Sequence, residues 1–414
     1  MPYENGMHNG STFVPDILAQ KEVASHIHVK KIAAPQMDST DSSPTISSSV
    51  LHSDLPSTFV SGFHDEASVR RMRYNKLGAT GMDVSALAIG GGGLERFYRS
   101  LDEDHAIESI HLGLRLGLNY IHTAPWYGGG KSEALLGKAL MGIPRQAFFI
   151  ATKVGRYSGT VEEMFDFSAK RVIHSVEESL NRLGLAYVDV IQIHDLEFAP
   201  SLDIILNETL PALEALQKTG KVRHIGITGY EVHTLLEVVQ KSRVKIDTVH
   251  CFCRYGLYNN DLLDIIPELR KRGVGIINAA PLGLGLLSKQ GPEDWHPANE
   301  FLKIACRAAV AYAHEVGSDL EKVVLKLCYN SPDVDTTVAS MVCVERPDLV
   351  TFNVHTVQEP MTDNDRNVVE DIKAKYFRAL EKTHWEGEPV ARYWEAFREE
   401  EALKKSHFHP LILE

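Results

Sequence analysis

Apolar residues along this chain recur in two alternating rhythms. Short runs at 84–90, 120–124, 148–153, 188–194, 224–228, 246–252, 274–279 and 336–341 have the length and β-branched content of buried strands. Between them, apolar positions fall three and four apart, the spacing of one helix face. Ser168 followed by Val172, Val176, Leu180 and Leu183 is the clearest case, with the serine at the N-cap. Ser100 and Glu103 form a capping box ahead of Ile107, Ile110 and Leu114. Further helices are predicted at 132–140, 202–218, 231–242, 260–272, 297–316, 319–330 and 346–355. Eight strand–helix units over ~280 residues fit the count and size of a closed (β/α)8 (TIM) barrel. An open doubly wound α/β sheet is the alternative, but it rarely carries eight uninterrupted units.

The barrel is assigned to residues 72–360. It starts with a hairpin, RMRYNKLGATGMDVSAL, turning around Gly78 and Gly81. Residues 361–414 are expected to form a helical tail, with Trp385, Tyr393 and Trp394 available to pack over the barrel or its mouth. Residues 1–71 include STDSSPTISSS, too poor in apolar surface to offset its ordering entropy, and are expected to be a disordered extension. His8, His26, His28, His52 and His64 lie in this region without a fixed ligand spacing, so no metal site is assigned.

Composition narrows the partners. The formal charge of −12 argues against nucleic acid and anionic membranes, which attract basic patches. No apolar run approaches the ~20 residues of a membrane-spanning helix. Five cysteines, an odd number with no CxxC pair, and no leader-like apolar run at the start imply reduced thiols in the cytosol.

The candidate chemistry lies where strands end. In a barrel of this kind the C-terminal strand ends carry the site. NYIHTAPWYGGG places His122 on the second strand and Trp126, Tyr127 and three glycines just past it; Lys153 ends the third strand and His194 the fourth. A phenol near pKa ~10 is a weak acid or base at neutral pH. An ammonium about 4 Å away favours the phenolate by ~4 kcal/mol at an effective dielectric of ~20. Tyr127 beside Lys153 therefore suits proton exchange with a substrate oxygen that His194 orients. Singly, Tyr127 also fits a packed surface aromatic, Lys153 a structural ion pair, and His194 a strand cap beside Asp195. Their shared placement favours a site. With no metal-ligand cluster and no good nucleophile, hydride transfer with an external cofactor fits best.

These segments, YIHTAPWYG at 120–128, IATKVG at 150–155 and YVDVIQIHD at 187–195, resemble motifs of the aldo-keto reductase family over Met72 to about Asn353. Within it, FDFSAKRV, HDLEF, NETLPALEAL, GKVRHIGITG and GPEDWHPA are most similar to dehydrogenases of L-galactose-like sugars. The resemblance implies a (β/α)8 barrel, NAD or NADP bound without a Rossmann fold, and an Asp/Tyr/Lys/His tetrad. Tyr127, Lys153 and His194 match three of its members. His122 stands where the family has Asp, five residues before the tyrosine. Losing that carboxylate lets desolvation push Lys153 toward neutrality, yet also removes a charge that repels the phenolate.

For the cofactor, the resemblance assigns Thr228 to the nicotinamide amide, Tyr255 to ring stacking, and Leu282, Gly283 and Gly285 to the pyrophosphate. Past the last strand, the family's Gly is Ser340 and the turn runs through Arg346 to Asn353; Arg346 suits either a 2′-phosphate or a solvated loop. The Gly90–Gly93 run is no Rossmann fingerprint, because the third position falls on Glu95; close approach of Gly91 to cofactor or substrate is the better use. Trp126 and Trp295 suit the faces of a sugar, although Trp126 also suits the core. The expected function is an NAD(P)-dependent oxidoreductase acting on an aldose or related carbonyl, with Tyr127 as general acid/base. The rival is a catalytically weakened, cofactor-binding homologue.

Overall fold

The computed structural model describes residues 54–92, 103–157, 160–339 and 347–407. A two-stranded antiparallel hairpin, β1 (Tyr74–Lys76) and β2 (Asp83–Ser85), precedes eight parallel strands closed into a barrel in the order β10-β3-β4-β5-β6-β7-β8-β9. These are β3 (Leu87–Gly90), β4 (Tyr120–His122), β5 (Phe149–Val154), β6 (Val188–Ile193), β7 (Val222–Gly229), β8 (Thr248–Phe252), β9 (Gly275–Ala279) and β10 (Thr336–Ala339). The (β/α)8 barrel is thus the architecture of the chain.

Strand alternation sorts the side chains into two compartments. Outward residues such as Ile89, Ile121, Ile150, Ile191, Ile225 and Val249 join the inner faces of the surrounding helices in one large core. A smaller cluster fills the barrel itself, where Leu77, Met82 and Val84 of the hairpin meet Ala88, Tyr120, Ala151, Val190, Ile277 and Val338. The hairpin therefore plugs the N-terminal end. Gly78 makes this fit possible: it has φ +51°, and a Cβ there would lie 2.3 Å from the Gly275 nitrogen. Polar side chains are left for the other end, where the strands finish.

The register sets which polar residues become neighbours. Lys153 lies opposite Gln192, Gln192 opposite Gly226, and Thr228 opposite His250. Ser168 caps helix Ala169–Leu183, its hydroxyl accepting from the Arg171 amide. The helix expected over 202–218 is interrupted: Leu202–Ile204 passes through a π turn, Ile205–Thr209, into Leu210–Lys218. Pro211 lacks the N–H needed to continue the i→i−4 ladder. Ser100, Glu95, Ser340 and Arg346 lie outside the described residues.

One boundary is corrected. Residues 54–71, expected to belong to a disordered extension, are packed on the barrel. Val60 and Phe63 contact the main core, Val69 is buried, helix Glu66–Arg71 is capped by Asp65, and Asn119 donates to the Thr58 hydroxyl at 2.9 Å. The apolar residues between 59 and 69 bury enough surface to hold this stretch. At the other end, helix Glu388–His407 lies against helix Val161–Met164 and the turn Leu196–Phe198. Those two pieces follow β5 and β6, so the tail crosses the end of the barrel where the strands finish.

Candidate active site

Three strand ends meet at one point. The Lys153 amine, buried on β5, donates to the Tyr127 hydroxyl at 2.8 Å and to the Thr123 carbonyl at 3.1 Å. The Tyr127 ring stands edge-on to His194, with centroids 5.8 Å apart, and to His122 at 5.9 Å. Tyr127, Lys153, His194 and His122, singled out from the sequence, are brought together. A fifth member was missed. His250 on β8 packs edge-to-face on His122 with centroids 4.6 Å apart. Its signal was present in TVHCF, where His250 shares a face with Thr248 and Phe252 while apolar Val249 and Cys251 face out.

Among the described residues, no carboxylate touches the amine. Burial pushes the Lys153 pKa well below its usual value; Asp195 and Glu133 pull it back up, and Arg156 pushes it down again. Asp195 pairs with Arg156 at 2.7 Å, while Glu133 pairs with Arg182 at 2.7 Å and accepts from the Thr152 hydroxyl. Both acids are thus committed elsewhere. Burial, then the Lys153 charge, hold His122, His194 and His250 well below the usual histidine value, so all three rings are neutral at pH 7. Both ring nitrogens of His122 and the Nδ1 atoms of His194 and His250 are buried without a hydrogen-bond partner among the described residues. Buried polar atoms are rarely left so, and their clustering marks a place built to receive other polar groups.

Arg156 and Asp195 form the near wall and were also missed. The Arg156 guanidinium sits over the Trp126 ring at 4.2 Å, and Asp195 lies 3.7 Å from His194 Nε2. Trp126 itself is in a buried cluster with Val161, Met164, Phe198 and Tyr393 of the tail helix, rather than at an open mouth. Trp295 is half-buried beside His296 in the loop after β9.

The expected dinucleotide contacts divide. Thr228 lies at the end of β7, its hydroxyl accepting from the Asp195 amide at 3.0 Å. Leu282, Gly283 and Gly285 belong to a tight loop in which Ala280, Gly283, Leu284 and Gly285 all have positive φ. The amides of Leu282, Leu284 and Gly285 meet no acceptor among the described residues. The Gly283 amide between them bonds the Ala280 carbonyl at 2.9 Å, and the consecutive Leu284 and Gly285 amides, both at positive φ, suit phosphate oxygens as a nest does. Gly91 is packed instead: a Cβ would meet the Ser132 hydroxyl at 2.7 Å and the His122 carbonyl at 2.9 Å.

Tyr255 is placed away from the ring-stacking position. Its hydroxyl is held by Ser331 at 2.6 Å and Asp333 at 2.8 Å, in the loop leading into β10. The cause is a turn at Cys253, φ +58°, that takes the chain off the barrel end. Phe252, half-buried on the same strand face as His250, packs against the cluster inside the barrel. Asn353 is buried in helix Pro347–Gln358, with its amide donating to the Leu349 carbonyl. It faces its own helix.

Fold and site together define a barrel oxidoreductase. The chain belongs to the Aldo/keto reductase family, which it matches over residues 86–374. Enzymes of this family work with a nicotinamide cofactor. Its relatives include L-galactose dehydrogenase of Arabidopsis thaliana, 41% identical over 292 residues, covering 70% of this chain and 89% of the relative. D-arabinose 1-dehydrogenase of Saccharomyces cerevisiae is 29% identical over 319 residues, covering 73% and 93%. Among solved structures, an aldo-keto reductase from Bacillus halodurans in its holo form aligns with TM-score 0.59 at 28% identity, covering 73% of this chain and 96% of that one. No helix among the described residues is long and apolar enough to cross a membrane.

Proposed function

We propose that this chain is an NAD(P)-dependent aldose dehydrogenase that oxidises the anomeric carbon of an L-galactose-like sugar to the lactone. The observation that carries it is the 2.8 Å hydrogen bond from Lys153 to Tyr127 inside a ring of three neutral imidazoles. The likeness to two named sugar dehydrogenases supports the substrate class.

A bound nicotinamide supplies the acceptor for the hydride leaving the anomeric carbon. Thr228 and the amides of Leu282, Leu284 and Gly285 suit its amide and its phosphates. Tyr127, as the phenolate that the Lys153 hydrogen bond steadies, takes the anomeric hydroxyl proton and becomes the phenol. His194, neutral and with Nδ1 meeting no partner among the described residues, holds the same substrate oxygen. His122 and His250 meet the remaining hydroxyls. The site is closed below by the hairpin and roofed by the tail, so the proton moves in a largely dry space.

Turnover of a panel of aldoses and aldehydes with NAD+ and NADP+ tests this. Lactone formation from an L-galactose-like sugar is expected. A protein that binds dinucleotide yet turns over no member of the panel is not this enzyme.

His122 favours a second reading, a dinucleotide-binding protein with little turnover. His122→Asp separates the two. A rise from no rate to a measurable one supports the weak binder, and an unchanged or lower rate places His122 in a working site.

A further inference from the structure

His296 lies in GPEDWHPA, a segment that the proposed chemistry leaves without a task. The imidazole is buried, with Nε2 donating to the Gly283 carbonyl at 3.0 Å and Nδ1 accepting from the Ala298 amide at 3.1 Å. These two partners fix both tautomer and ring orientation. Burial lowers its pKa to about 4, so the ring stays neutral and Nδ1 remains an acceptor at pH 7. The ring reaches 13 residues back along the chain to grip the loop whose Leu282, Leu284 and Gly285 amides meet no acceptor among the described residues.

A second element closes on the same ring. Trp385, in the tail, stands edge-on to His296 with centroids 4.8 Å apart and stacks on Tyr230 at 5.1 Å. Its backbone amide donates to the Tyr230 hydroxyl at 2.9 Å. The neighbouring Glu386 pairs with buried Arg254, which also pairs with Asp261. The tail is therefore fastened to the loops after β7 and β8, while its indole presses on the histidine that holds the loop after β9.

We propose that His296 is a positioning residue for the dinucleotide: through the Gly283 carbonyl it holds the 282–285 amides in their phosphate-receiving arrangement, with Trp385 as the backstop that keeps the ring in place. The proposal rests on the function given above. Two carbonyls of residues 282–285 accept from side chains outside that stretch, Gly285 from the nearby Ser288 hydroxyl and Gly283 from His296. The Gly283 carbonyl shares a peptide plane with the Leu284 amide, so the His296 bond sets the direction of that amide. His296 itself touches neither sugar nor nicotinamide. Its removal therefore raises Kd and KM for the dinucleotide, with a smaller effect on kcat at saturating cofactor.

NADH and NADPH binding, followed by protein and nucleotide fluorescence, tests this with two variants of equal polarity. In His296→Gln the side-chain amide reaches the Nε2 position and can donate to Gly283. In His296→Asn it reaches only the Nδ1 position. His296→Asn is expected to weaken dinucleotide binding roughly three- to tenfold, the worth of one such hydrogen bond, and His296→Gln to restore most of the loss. The sugar KM stays near wild type in both. Equal affinity in wild type and His296→Asn overturns the proposal, as does an equal loss in both variants. His296→Leu adds a harsher test; should it fail to fold, the Asn and Gln pair still decides. Wild-type protein that binds neither dinucleotide overturns the functional assignment itself, a result distinct from either of these.

Discussion

At Lys153 three conditions meet in one side chain: burial, contact with Tyr127, and no carboxylate in contact among the described residues. Burial drives this group toward the neutral amine, the direction expected once His122 replaces the family's carboxylate. Hydrogen-bond donation to the phenol survives in either state, so Tyr127 stays oriented. Tyr127→Phe is expected to lower kcat by roughly a hundredfold or more, as for loss of a general acid/base, with dinucleotide affinity unchanged. Steady-state kinetics beside a binding titration checks it. His122, His194 and His250 carry a second consequence. Their folded pKa values lie below 6.5, so on acidification the unfolded chain binds protons that the folded one refuses. Stability should fall as pH drops below 6.5, by at most about 1.4 kcal/mol per pH unit for each histidine. Glu197 works in the opposite sense. Burial, then Asp195, raises its pKa from 4.5 to about 8, so its contribution is present below 4.5 and lost as pH rises to 8. Melts between pH 5 and 8 should show the acid loss, and Glu197→Gln should gain on wild type most at the alkaline end.

Strands were the legible elements and turns the opaque ones. Lys153 and His194 could be placed from sequence because each ends an apolar run whose alternation is unambiguous. His250 was overlooked because its strand is flanked by other polar residues, and only the inward position of Thr248 and Phe252 gives it meaning. Tyr255 was misplaced because a positive φ at Cys253, which no residue pattern announces, redirects the chain. Arg156 and Asp195 escaped notice because their pairing joins two loops 39 residues apart. The tail's covering of the strand ends was equally hidden, since amphipathic helices do not specify which surface they meet. Strand β7 offers a test at this scale. A Cβ at Gly226 would fall 2.1 Å from the Thr248 hydroxyl and 3.1 Å from Gln192 Cγ. Gly226→Ala should therefore cost about 1–3 kcal/mol by overpacking. It should also disturb the residues beside Lys153. A drop in Tm together with a fall in kcat is expected.

Across the whole molecule, the tail and the hairpin act on opposite ends of one cylinder. Tyr393 and the rest of helix Glu388–His407 cover Trp126, Phe165 and Phe198. Removing residues 388–414 should leave the far-UV dichroism of a barrel, expose an apolar patch that binds ANS, and raise KM for the sugar. Loss of all regular structure would instead make the tail part of the folding core. At the opposite end, Leu77, Met82 and Val84 stopper the cylinder against Tyr120 and Val190. A flask with a fused base can be filled and emptied only through its neck. With that base closed among the described residues, the ligand seated deepest is expected to arrive first and depart last, an order that product-inhibition kinetics would read.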